Sequence, residues 1–145
     1  MLAQCVDSSQ SPVGVWRLVE LTNYENDEPS HPFGEEPSGT FIYTPKGHLS
    51  IQIMRTPAAA PFESRPSDEA LGGVARAYIA YYGGYTVDCE RGILSHEVEG
   101  SLNPNYVGTF QERPYEIDGD VLTIDSGDLG GRRFVRQLVR VEGLE

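Results

Sequence analysis

Short runs in which apolar and polar side chains alternate dominate this chain, and a period of two is the mark of a half-buried strand. In residues 48–54, Leu49, Ile51 and Ile53 share one face while His48, Ser50, Gln52 and Met54 share the other. The same reading predicts strands over 16–24, 39–44, 48–54, 84–88, 93–101, 106–117, 121–125 and 131–141. Turn signals separate them: Pro45-Lys46-Gly47, residues 88–92, Asn103-Pro104-Asn105 and Asp118-Gly119-Asp120. Residues 25–38, with Pro29, Pro32 and Pro37, read as a loop long enough to cover a cavity mouth.

One stretch changes period. From Ser67, a suitable N-cap followed by Asp68 and Glu69, apolar residues recur at Leu71, Val74, Ala75 and Tyr78, so one amphipathic helix is expected to end at Gly83-Gly84. Residues 1–12 are polar and read as a flexible tail, leaving a single domain over 13–145. The expected fold is all-β: about eight antiparallel strands closed into an up-and-down barrel, with one short helix near its mouth.

Composition narrows the partners. Of 145 residues, 11 are Lys or Arg and 22 are Asp or Glu, a net charge of −11 that repels phosphate backbones and anionic headgroups. Neither nucleic acid nor a membrane is expected as a partner. No basic start leads into a sustained apolar run, so the chain reads as a cytoplasmic protein. Cys5 and Cys89 have a spacing that signals neither a disulfide framework nor a zinc site, and an even count alone is weak evidence for a bridge. With His31, His48 and His96 far apart, no metal and no cofactor are expected.

Gly14-Val15-Trp16-Arg17-Leu18, with Gln137-Leu138-Val139-Arg140 near the end, resembles the G-x-W start and late arginine of calycin barrels. The resemblance implies that Trp16 closes one barrel end and that Arg140, rather than Arg136, packs over its ring. The match is closer to the small stand-alone lipocalin-like domain proteins of bacteria and fungi. Residues 32–37, 41–55, 81–85 and 96–113 carry that pattern, with departures at Tyr106, where Trp is more frequent, and Val139, where an aromatic is more usual. Barrels of this kind host carriers and enzymes alike, so the resemblance speaks to fold more than to activity.

The chemistry-bearing residues follow from facing. On 93–101, Glu97 and Glu99 share one face and His96 the other, between Leu94 and Val98, so His96 is expected to point inward. A neutral imidazole there suits acid–base chemistry, or it is a hydrogen-bonded core histidine. On the next strand neither face is cleanly apolar. With Thr109, Gln111, Arg113 and Tyr115 inside, Arg113 could hold a carboxylate or a developing enolate; with Phe110 inside, Arg113 is a surface charge.

His96, Arg113 and Tyr85 are thus the catalytic candidates, and Tyr43, Gln52, Met54, Tyr81, Tyr106 and Gln111 the ligand-binding ones, drawn in part from the tyrosines between 78 and 106. The leading reading is a cofactor-free barrel that binds a small, mostly apolar, oxygenated metabolite and isomerises, cyclises or dehydrates it. The alternative is a non-catalytic carrier or sensor of a hydrophobic metabolite. A homo-oligomer is compatible with either.

Overall fold

The computed structural model describes residues 8–144. Its elements are β1 (Gly14–Glu25), β2 (Glu28–Ser30), β3 (Ser38–Tyr43), β4 (His48–Met54), α1 (Asp68–Arg76), β5 (Tyr78–Asp88), β6 (Ile93–Ser101), β7 (Phe110–Asp118), β8 (Val121–Asp125) and β9 (Arg132–Glu142). Each strand from β3 to β8 pairs antiparallel with its successor, and β1 pairs with both β3 and β9. That last pairing closes an eight-stranded barrel, the predicted fold; β2 is a short flap on β1.

The alternation does the work expected of it. On β4 the inward residues Leu49, Ile51 and Ile53 are buried; on β6, Leu94, His96 and Val98 are buried while Glu97 and Glu99 are exposed. The core is the barrel lumen, filled by Trp16, Leu18, Leu21, Phe41, Tyr43, Leu94, Leu122, Ile124 and Leu138 among others.

Several boundaries differ from the sequence reading. The helix stops at Arg76, and Tyr78 onward is already strand, because the run Tyr78-Ile79-Ala80-Tyr81-Tyr82 pairs with β4, with Ile51 opposite Tyr81. Aromatic and β-branched side chains there follow the pleat rather than the helical spacing. Gly83 sits at a bulge in the β5–β6 pairing, where an added Cβ would run into the carbonyl oxygen of Glu97. Tyr106 belongs to a single 3-10 turn over 104–106, and β7 begins only at Phe110. Within the expected 25–38 loop, Asn26 and Asp27 both take positive φ, the tight-turn conformation that lets β2 fold back on β1.

The end of the barrel near residue 14 is sealed. Trp16 is fully buried, its indole nitrogen donates to the Pro12 carbonyl at 2.8 Å, and the Arg140 guanidinium lies 4.2 Å from the ring centroid. Arg140 Nη1 also donates to the Val13 carbonyl at 2.7 Å. Gln10 bonds both ways with the Ile117 backbone, so residues 8–12 are built into this end and are not a free tail; residues 1–7 lie outside the described residues. Cys89, at the β5–β6 turn, is disulfide-bonded, which corrects the expectation of no bridge; Cys5 lies outside the described residues. No described helix is long and apolar enough to cross a membrane.

Candidate functional site

Three strands converge on one imidazole. β3 ends on Tyr43, β5 carries Tyr81, and β6 carries His96, all pointing into the lumen. His96 is 1% exposed, its Nε2 lies 2.8 Å from the Tyr43 hydroxyl and its Nδ1 2.8 Å from the Tyr81 hydroxyl. Burial, reinforced by the nearby Arg113 charge, pushes the His96 pKa down to about 3. A neutral ring carries one N–H and one bare nitrogen, so one phenol donates to His96 and the other accepts from it. Both phenols stay protonated: burial raises Tyr43 well above its ordinary value and Tyr81 to about 12, with Arg113 opposing the shift in each case.

The facing of β7, left open by the sequence, is decided by pairing. Gln111 stands opposite His96 and Arg113 opposite Leu94, so both share the inward face, while Phe110 is 67% exposed. From β9, Phe134 and Arg136 join them on the face that also carries the fully buried Leu138. The two guanidiniums pack against one ring: Arg113 lies 5.1 Å and Arg136 4.5 Å from the Phe134 centroid. Asn23, opposite Phe134 on β1, completes the group. Its Oδ1 and the Nη1 of Arg136 are buried without a hydrogen-bond partner.

These side chains surround a small inner cavity of about 40 Å³, lined by Phe41, Tyr81, His96, Tyr106, Arg113 and Arg136 with Ile51, Ile53, Ile79 and Ile124. That is room for a little water but not for an organic ligand, which needs several hundred cubic ångströms. Larger hollows lie immediately outside, at the open end. One of about 410 Å³, between the end of α1 and the 101–106 segment, shares Ile79 and Tyr106 with the inner cavity. Another of about 380 Å³, beside β2, shares Arg136 and is also lined by Asn23, Arg132, Arg133 and Phe134. Tyr106, edge-on to Tyr81 at 5.9 Å between centroids, therefore stands as the partition between inside and mouth.

Of the nine candidates, the fold brings His96, Arg113, Tyr43, Tyr81, Tyr106 and Gln111 to one lumen. Gln111 faces it but donates to the Thr109 hydroxyl at 2.7 Å. The other three are engaged elsewhere. Tyr85 is buried in the same core, edge-on to Tyr43 at 5.1 Å between centroids, but its hydroxyl is donated to the Thr44 carbonyl at 2.6 Å. Gln52 and Met54 are on the outer face of β4: Gln52 accepts from Tyr78, and Met54 lines a hollow of about 620 Å³ under α1. The sequence reading missed Arg136, Phe134 and Asn23. A usable signal was present for two of them, since Phe134, Arg136 and Leu138 share a face at period two.

Comparison with known proteins agrees with this architecture. Residues 13–132 match the model of the lipocalin-like domain. A curated relative, the 4'-hydroxy-3'-methoxypropiophenone carrier protein ppsC of Aspergillus oryzae, is 37% identical over an alignment of 89 residues, and the match covers 54% of this chain and 78% of the relative. With its closed eight-stranded barrel, Trp16–Arg140 end plug and polar-lined lumen, the chain belongs to the lipocalin-like domain family.

Proposed function

We propose that this protein binds a small, mostly apolar, oxygen-bearing metabolite in the open half of its barrel and carries it unchanged. The observation that supports this most is the pair Ile79 and Tyr106, which walls off a polar-lined inner cavity from a mouth hollow of about 410 Å³. A shift of the single turn that holds Tyr106 would join the two into one pocket of ligand size. Tyr81, Tyr106, Arg113 and Gln111 would then meet the ligand's oxygens, and Ile51, Ile53, Ile79 and Phe41 its apolar body. The relative named as a carrier of an aromatic ketone fits the same reading.

A carrier is favoured over an enzyme because His96 is spoken for. Both ring nitrogens already face phenols, and a pKa near 3 leaves a weak base at neutral pH. One observation favours a second reading, acid–base isomerisation, cyclisation or dehydration: Arg113, Tyr81, His96 and Tyr43 form a continuous polar row along which a proton could pass. In that reading Tyr81, not Tyr85, is the residue next to the ligand.

Native mass spectrometry of freshly purified protein, followed by calorimetric titration with 4'-hydroxy-3'-methoxypropiophenone, tests the binding. A co-purifying small molecule, or saturable binding that weakens in Tyr106→Ala, is expected. The reading fails if no ligand co-purifies and the titration shows no saturable heat. Turnover of a bound ligand that is lost in His96→Gln while binding persists would favour the enzyme instead.

A further inference from the structure

We propose that Arg113 and Arg136, both packed against the Phe134 ring, form an anion site that receives the negatively charged oxygen group of the ligand. The proposal rests on the barrel-binding reading above and adds the charge of what is bound.

Two cations are held close together and partly out of water, facing the same cavity. Such groups are ordinarily paired with carboxylates. Here the ion pairs among the described residues involve Arg91, Arg133 and Arg140, and none reaches Arg113 or Arg136. Arg113 donates to the Glu112 backbone carbonyl at 3.1 Å and to the Tyr81 hydroxyl, neither of which brings negative charge. Arg136 Nη1 is buried with no acceptor at all. The Phe134 ring that both contact offers only the weak attraction of its π face.

The surrounding charge makes this arrangement stand out. In a chain of net charge −11, the residues lining the adjoining mouth hollow include Arg132, Arg136 and Arg133, the last paired with Asp125, against the single carboxylate of Glu25. A positive spot inside an acidic protein draws a small anion to one place on the molecule. Guanidinium forks also match the flat geometry of a carboxylate. Tyr81, which burial keeps protonated, lines the same cavity with Tyr106 and can add a hydrogen bond without competing for the charge. The ligand class is therefore an aromatic or aliphatic organic acid with its acidic end inward.

Two fluorescent dyes with a common skeleton test this: 8-anilinonaphthalene-1-sulfonate, which is an anion, and N-phenyl-1-naphthylamine, which is neutral. The parent protein is expected to bind the sulfonate about ten- to a hundredfold more tightly than the neutral dye, the range of a charge-assisted hydrogen bond or two. Arg113→Gln and Arg136→Gln should each shrink that gap by weakening the sulfonate more than the neutral dye, and Arg113→Lys should keep part of it. Near-ultraviolet circular dichroism checks that each variant is folded. If a Gln variant does not fold, added salt applied to the parent protein reads the same quantity, and must weaken the sulfonate and spare the neutral dye. Equal affinity of the parent for both dyes, or a gap that survives both substitutions and salt, overturns the anion site and leaves the barrel reading standing. If neither dye binds, both fall together.

Discussion

The two ends of the barrel use the same pair of ingredients, an arginine over an aromatic ring, and put them to opposite ends. At the sealed end Arg140 covers Trp16 and is satisfied, with the Val13 carbonyl at 2.7 Å and the Asp120 carboxylate at 3.6 Å. At the open end Arg113 and Arg136 cover Phe134, yet neither has a carboxylate and Arg136 keeps a buried, unbonded nitrogen. The cost shows in Arg136 itself: burial first, and then the Arg113 charge, lower its pKa to about 10. A satisfied arginine plugs a barrel. An unsatisfied one waits for a partner, and the difference lies in neighbours rather than in residue type.

Four experiments press on this contrast. The largest effect is expected at the sealed end: Trp16→Ala removes the biggest fully buried side chain and should cost about 3–5 kcal/mol in urea unfolding. A loss below about 1 kcal/mol would mean that the plug does not organise the barrel.

The second concerns His96, faced by Tyr43, Tyr81 and Arg113. Its folded pKa lies below the unfolded value near 6.5, so the unfolded chain takes up the proton first. The stability due to the neutral ring is complete above about 6.5 and is lost as pH falls toward 3. Between pH 7 and 4 the parent protein should lose on the order of 3 kcal/mol more than His96→Gln, measured as the difference in pH slope of the unfolding free energy. Parallel slopes would show that His96 is not held neutral by the fold.

The third sets the two ends side by side. Arg140→Met should destabilise by about 1–2 kcal/mol, through the lost bond to Val13 and the loss of cover over Trp16. Arg136→Met, which replaces an unpaired cation by an apolar chain of similar length, should be neutral or raise the melting temperature. Equal losses from the two substitutions would erase the distinction between plug and site. The smallest effect is expected at Phe110, exposed at the start of β7: Phe110→Ser should stay within about 0.5 kcal/mol of the parent. A larger cost would mean that Phe110 is packed and the facing of β7 is wrong.

Much of this molecule was readable from pattern alone where a strand has one apolar and one polar face. His96 is the clearest case: with Glu97 and Glu99 on the other side, only one orientation buries Leu94 and Val98. β7 was not readable, because Thr109, Gln111 and Arg113 alternate with Gly108, Phe110 and Glu112 and no face is apolar. The tyrosines 78, 81 and 82 misled for a related reason: spacings of three and four fit a helix, and only pairing with β4 made them strand.

The sequence by itself determined the barrel and the inward histidine, since both follow from local alternation and turn chemistry, which act over a few neighbouring residues; the Trp16 plug was implied by the resemblance to calycin barrels. Tertiary structure decided everything that depends on residues far apart in the chain meeting across the lumen. It set Tyr43 and Tyr81 on the two nitrogens of His96, it turned Gln52 and Met54 outward, and it packed Arg113 and Arg136 against Phe134. Strand register and barrel closure fix those encounters, and they are properties of the whole sheet rather than of any one strand.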